Sequence, residues 1–297
     1  MKRLLRTPVV IAGLIVNLAA TAVFAQSEKI SPRIAPKPNQ TVHLTMVQEM
    51  DMNISIDAVG PAPLAGPMIM TMKSTAKMTQ KTGAVKPDGS YDAEIRYDDM
   101  QVDLMMNGQP LPTGTAANSL VGKVIMVTYN RSGQVIDTRF PSDVGASAEI
   151  VKQLMMSFSG NLPDMAVGVG EAVSIPLDMT LPLPIPGVSE LKLDGQTETK
   201  LISIDKDARG RSAKFDSVTY GKMMSSLPVG GKNAMNLDFT ISGTGTTVMD
   251  LDAGFVRTGE ANATIDAKMG AIPGSTPAGL PPMTMKGSMK VTFTGSN

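Results

Sequence analysis

The sequence predicts a mainly β fold: a curved, antiparallel, up-and-down sheet of about eleven strands, open like half a barrel, with one helix packed on its concave face. Three observations support this fold class. Apolar residues alternate with polar ones over long stretches, the connections between these stretches alternate between two kinds, and residues 142–158 alone show a clear apolar stripe at helical spacing.

The first 25 residues have the features of a secretory signal peptide. They begin with the basic residues Lys2, Arg3 and Arg6, continue with an apolar run over residues 8–20, and end in small residues up to Ala25. Because no cysteine follows that can carry a lipid, we expect a soluble periplasmic or secreted protein. Residues 26–40 are polar and contain prolines, which predicts an extended arm before the folded domain.

Composition narrows the function further. The chain contains no cysteine, which excludes disulfides and thiolate metal sites, and its 27 basic and 27 acidic residues leave no basic surface for nucleic acid. Tryptophan is absent and aromatic residues make up 4% of the chain, whereas there are 24 methionines. We therefore expect methionine, valine, leucine and alanine to fill an adaptable interior.

The first three strands show the clearest period of two. Residues 42–56 keep one apolar face, and so do residues 68–78, in which Met alternates with Thr and Lys. The third strand, residues 91–106, changes phase at Asp98 and Asp99, which predicts a β-bulge there.

Two shorter strands follow at residues 123–129 and 134–140, and then the helix, which Ser142 caps and Gly160 ends. The remaining predicted strands are residues 171–177, 188–205, 211–220, 235–249, 255–269 and the stretch from Met283, which repeats the Met-Thr-Met-Lys pattern of the second strand.

The connections alternate along the chain between apolar loops and polar turns. The apolar loops, which contain Pro and Leu, are residues 61–67, 109–112, 181–186, 227–229 and 273–282, and the polar turns are residues 86–89, 130–133, 206–210 and 250–254. In an up-and-down sheet, alternate connections lie at opposite ends. All five apolar loops are therefore expected at one rim.

With this strand count, the inserted helix, the export signal and the methionine-rich face, residues 41–297 resemble the half-barrel superfamily of bacterial lipoprotein-localisation factors, the LolA/LolB-like carriers, and the related mycobacterial lipid-binding lipoproteins. The resemblance is architectural and transfers no functional residue. It implies a single domain with an apolar cavity that accepts acyl chains. The repeated Met motif further suggests two related halves, residues 41–160 and 171–297.

Ten methionines are the candidate ligand-binding residues, because they recur on the apolar face of these strands. They are Met46, Met50, Met52, Met68, Met70, Met72, Met78, Met283, Met285 and Met289. They predict a binding or carrier protein for an apolar molecule or lipid, with the apolar rim meeting a membrane surface or a lipidated partner. Cu(I) binding by thioethers and a structural role in the envelope are the alternatives, and methionine also serves simply to fill a buried face.

No catalytic group emerges from the motifs. His43 is the single histidine and alternates with the polar residues of its strand, so a three-histidine zinc site is excluded. Ser74 and Lys77 match one β-lactamase motif by chance, since that motif requires a helix. The acidic groups that could bind Ca²⁺ or form a glycosidase pair are Asp98–Asp99, Asp205/Asp207 and Asp250/Asp252. They lie at turns or at the bulge, where Asp favours local hydrogen bonds. We predict neither an enzyme nor a cofactor.

Overall fold

The computed structural model describes residues 28–30, 37–56, 67–111, 120–131, 135–141, 166–181, 191–228, 234–271 and 282–297. These residues form fourteen β-strands and no α-helix. The strands are β1 (Lys29–Ile30), β2 (Thr41–Ile56), β3 (Met68–Val85), β4 (Tyr91–Met106), β5 (Gln109–Pro110), β6 (Val124–Tyr129), β7 (Val135–Arg139), β8 (Val167–Gly168), β9 (Ala172–Leu181), β10 (Leu191–Asp207), β11 (Gly210–Pro228), β12 (Ala234–Asp250), β13 (Phe255–Ala271) and β14 (Met283–Ser296).

The helix predicted over residues 142–158 lies outside the described residues, and so does the signal peptide. Among the described residues there is no helix with the length and apolar character needed to cross a bilayer. Part of the predicted extended arm is described. There, β1 pairs with β8 to form a separate two-stranded sheet.

All eleven strands expected from the sequence are present in one large antiparallel sheet, in the order β7-β6-β4-β3-β2-β14-β13-β12-β11-β10-β9, with β5 added beside β4. The sheet is open, with β7 and β9 at its edges. Apart from β4 and β6, which the short β5 separates in the chain, neighbours in the sheet are neighbours in the chain except where β2 pairs with β14. The first and last long strands therefore meet inside the sheet rather than forming its edges.

The positions of the strand ends confirm the prediction that the apolar loops and the polar turns leave the sheet at opposite ends. The ends of the strands that flank the five apolar loops lie at one end of the sheet, as the register shows through the pairs Met283 with Ile56, Met70 with Met106 and Leu181 with Leu191. We call this the loop end. The turns 86–90, 207–210 and 250–255 lie at the opposite end, which we call the turn end.

The predicted bulge in β4 is also confirmed. Lys77 of β3 pairs with Asp99, but the next residue, Met78, pairs with Tyr97, so Asp98 is the extra residue. Because of this shift, Tyr97 and Met100 lie on the same face of the sheet. The extra residue explains why apolar residues change phase in the sequence at this point.

The deeply buried core lies towards the turn end. One cluster contains Leu201, Ala213, Phe215 and Met249, against which β1 and β8 pack through Ile30 and Val167. A second contains Leu120, Ile125, Val127 and Val135, and a third contains Val42, Ala253 and Phe255. Leu201, Ala213, Ile125 and Val127 are at most 1% exposed, so these clusters are closely packed.

Candidate functional site

The ten candidate methionines lie on one face of three adjacent strands. Met46, Met50 and Met52 are on β2, with β3 on one side and β14 on the other. Each of the ten is half-buried. We call this surface the methionine face. Since strand residues two apart point to the same side, its formation follows directly from the alternation in sequence.

Cross-strand pairing brings the methionines into rows. Met50 pairs with Met72 on one side and with Met289 on the other, which makes one row of three. Met52 pairs with Met70 in the next row. Directly opposite residues have Cβ atoms about 4.5–5.5 Å apart, so thioethers of neighbouring strands can touch.

Gly287 interrupts the methionines of β14. It pairs with Met52, and a Cβ atom at this position would lie 2.6 Å from the carbonyl oxygen of Asp51. No side chain can therefore replace the glycine without movement of β2. The same Cβ atom would lie 2.9 Å from Met52 Cγ, so the side chain of Met52 packs over the glycine.

Met78 and Met46 lie apart from the other eight, towards the turn end. Met78 pairs with Leu44 and Tyr97. The same face contains further apolar residues that we did not include in the candidate site, although the same alternation identifies them. These residues are Ile54, Leu104, Met106, Met269 and Phe293.

Charged residues of the same three strands lie on the opposite face, which we call the polar face. Lys73 bonds to Glu49 at 2.5 Å, and Lys290 lies 2.9 Å from Glu260 on the neighbouring β13. The hydrogen bond from Lys73 lowers the pKa of Glu49. The apolar face of β2, β3 and β14 has no charged residue at any position. The methionine face thus offers apolar contact without an ionic group.

The structure separates the sequence motifs that resemble catalytic sites. Ser74 points to the apolar face and Lys77 to the polar face, so they cannot form a nucleophile and base pair. His43 lies on the polar face, where its Nδ1 is 3.1 Å from the hydroxyl of Thr79. Within the described ranges, no three His, Asp or Glu residues are grouped as a metal site would require.

Asp98 and the acidic turn residues take part in local bonds, as predicted. Asp98 accepts hydrogen bonds from Thr79 Oγ1 at 2.5 Å and from Arg96 Nε at 2.7 Å, and the bond from Thr79 is the main reason that its pKa is lowered. At the turn end, Asp250 accepts the backbone N–H groups of Asp252 and Ala253.

A buried ion-pair cluster at the turn end was not predicted from the sequence. Arg257 is 5% exposed and bonds to Asp250 through Nε at 2.9 Å and Nη2 at 2.8 Å. It also bonds to Asp207 at 3.2 Å and to the carbonyl oxygen of Arg209 at 3.1 Å. We call these residues the Arg257 cluster. It joins the β10–β11 turn to the β12–β13 turn.

Three tyrosines lie on the apolar face between the bulge at Asp98 and the turn end. Tyr91 and Tyr129 stack with ring centroids 5.0 Å apart, and Tyr97 lies on the same face. Burial raises the pKa of Tyr129 to about 12. Burial also raises the pKa of Tyr97, so Tyr97 and Tyr129 stay neutral at ordinary pH and add no charge to the face.

Comparisons with known proteins place the chain in no family. No family description matches it, and no curated protein matches it. Among solved structures, it is similar to lipovitellin, in a structure that describes lipid–protein interactions, with a TM-score of 0.47 and 10% sequence identity. The similarity covers 86% of this chain, which spans 25% of the lipovitellin chain. The resemblance to the LolA/LolB-like carriers has no family match behind it and stays a hypothesis.

Proposed function

We propose that this is an exported binding or carrier protein of the periplasm that holds an acyl chain or similar apolar ligand against the methionine face. The observation that carries the proposal is the set of ten half-buried methionines on a face of three adjacent strands without a charged residue. Apolar surface that is gathered in one place and left partly exposed is typical of a binding site.

Burial of this surface provides the driving force. Each 100 Å² of apolar area removed from water contributes about 2.5 kcal/mol, against which binding must offset the lost freedom of the ligand. Met72, Met50 and Met289 form a continuous row across the three strands, so an extended chain lying across them contacts all three. Flexible thioethers adapt to chains of different shape, which favours affinity over narrow selectivity.

The loop end supplies the route of entry in this proposal. Eight of the ten methionines lie on the half of their strands that leads to this end, where the flanking apolar loops contain proline and leucine. A membrane surface or a lipidated partner is the expected source of the ligand. The Arg257 cluster and the buried core lie at the opposite end, so a ligand that enters here leaves them intact.

Native mass spectrometry of the protein isolated from its own cell envelope tests the proposal. We expect a mass shift that corresponds to a bound lipid and that disappears after delipidation. The delipidated protein should then bind a fluorescent fatty acid. A preparation with no bound lipid and no affinity for the fatty acid would contradict the proposal.

Cu(I) binding is the second candidate, because Met72, Met50 and Met289 place three soft sulfur ligands in one row. Titration with Cu(I) against a competing chelator tests it, with the triple variant M50L/M72L/M289L as the comparison. Leucine keeps the apolar surface and removes sulfur. Loss of Cu(I) binding in this variant supports the metal site, whereas equal competition by the wild type and the variant rules it out.

A further inference from the structure

A polar cavity lies on the polar face of the sheet, opposite the methionine face. It has a volume of about 410 Å³ and lies over β11, β12 and β13. Its lining includes the carboxylates of Asp216 and Glu260, the hydroxyls of Thr244 and Thr246, and the carboxamide of Asn262. The lining is therefore rich in oxygen atoms that accept hydrogen bonds.

Asp216 is the unusual member of this lining, because it is 6% exposed and has no ion pair among the described residues. Its Oδ1 accepts a hydrogen bond from Thr246 Oγ1 at 2.7 Å. Lys200 of β10 is its direct cross-strand neighbour, but no contact within 4.0 Å joins the two side chains among the described ion pairs. Burial raises the pKa of Asp216, although the hydrogen bond from Thr246 and the charge of Lys214, two residues earlier on the same face of β11, act in the opposite direction.

Two carboxylates on the same face of β13 do have lysine partners. Glu260 is bound to Lys290, and Asp266 lies 3.6 Å from Lys286. A buried carboxylate without a cation costs stability, since desolvation is not offset. Asp216 is thus a buried carboxylate with no direct ion pair among the described residues, since Lys214 acts on it only as a more distant charge, and it lines a cavity in which a cationic group can reach it.

The partner is better explained as an organic cation than as a metal ion. No group of three His, Cys, Asp or Glu residues suitable for a metal occurs within the described ranges. An ammonium group has three N–H donors, which match one carboxylate and nearby hydroxyl oxygens. Asp216 and Glu260 are two strands apart, roughly 9–10 Å at the usual strand spacing.

We propose that this cavity binds a small organic amine, with an ammonium group on Asp216 and a second amine or polar end towards Glu260 and Asn262. The site is separate from the methionine face and does not depend on the acyl-chain proposal. It gives the protein a polar ligand site in addition to its apolar one.

Isothermal titration calorimetry of the full chain with putrescine tests the inference. We expect saturable binding with a Kd of about 1 mM or tighter, and a loss of at least about tenfold in D216N. The matched control is D266N, which removes a carboxylate of the same face that is paired with Lys286 and should bind putrescine as the wild type does.

1,4-Butanediol, which has the length of putrescine without its charges, is the ligand control and should not bind. Lowering the pH should weaken putrescine binding in the wild type as Asp216 takes up a proton. Binding of butanediol equal to that of putrescine, equal binding by D216N, or no saturable heat with the wild type would each overturn the inference. A thermal melt shows that D216N is folded, and removal of an uncompensated buried charge should leave its Tm unchanged or raised.

Discussion

The two ends of the sheet are built differently, although the same strands run through both. Towards the turn end, Leu201 and Ile125 are at most 1% exposed, and Arg257 is buried with its acidic partners. Towards the loop end, the methionines are half-buried and the charges lie on the opposite face. The turn end contains the deeply buried clusters and the buried ion pair, whereas the loop end keeps half-buried methionines together on one face. We infer that stability is concentrated at the turn end and ligand binding at the loop end.

Breaking the Arg257 cluster should have the largest effect on stability. R257M leaves Asp250 buried without its cation, and we expect a loss of about 4 kcal/mol in the free energy of unfolding. The control is R209M, because Arg209 pairs with Asp207 at an exposed position, where such pairs contribute less than about 1 kcal/mol. Urea denaturation measures both. Equal losses would show that burial of Arg257 does not stabilise the turn end.

A matched pair of leucines compares packing at the two ends. L201A should cost about 3 kcal/mol, since Leu201 is 1% exposed and its truncation leaves a cavity in the core. Leu104 is half-buried and pairs with Met72 near the loop end, so L104A should cost about 1 kcal/mol. Urea denaturation again gives the values. A larger loss for L104A than for L201A would contradict the inference that stability is concentrated at the turn end.

Two glycines in the loop-end half of the sheet test how closely neighbouring strands approach. A Cβ atom at Gly195 would collide with the carbonyl oxygen of Tyr220 on β11, whereas one at Gly270, near the loop end, meets no atom within 4 Å. We expect G195A to lower stability by about 2 kcal/mol and G270A to change it little. Thermal melts of the two variants provide the comparison, and equal Tm values would contradict the close approach at Gly195.

Lowering the pH should reduce the stability of the turn end by less than the substitutions above do. The pKa of Asp207 is lowered, first by the backbone N–H of Arg209 and then by the side chains of Arg209 and Arg257. The folded state therefore binds fewer protons than the unfolded state, so this stabilisation is present above the unfolded pKa of about 3.9 and is lost as pH falls through the folded value. We expect the Tm of D207N to fall less between pH 7 and pH 3 than that of the wild type. A parallel fall in both would exclude Asp207 as a contributor.

Much of the fold was predictable because the strands are long and their periodicity is strong. The eleven strands, the bulge at Asp98 and the separation of apolar loops from polar turns all follow from alternation and from the order of turn types. The pairing of β2 with β14 was not predicted, since periodicity shows which face a residue takes and not which strand lies beside it. That pairing brings the two Met-Thr-Met-Lys stretches to either side of β2.

The same limit of sequence periodicity applies to the candidate site. Alternation predicted that the methionines share a face, but not that Met72, Met50 and Met289 stand in one row. The burial of Arg257 was missed because an isolated arginine in an alternating strand is usually solvent-exposed. The burial of Asp216 was missed for the same reason, because aspartate is usually exposed and no local pattern marks this one as buried.

Binding of a fluorescent acyl chain with an uncharged head group to M72D and T71D tests the central claim most directly. Met72 and Thr71 are adjacent and both half-buried, but they lie on opposite faces of β3, so the two variants add the same charge to different faces. We predict that M72D lowers affinity at least tenfold, about 1.4 kcal/mol, and that T71D binds as the wild type does. Equal affinity in all three proteins, or a greater loss in T71D, would contradict the assignment of ligand binding to the methionine face.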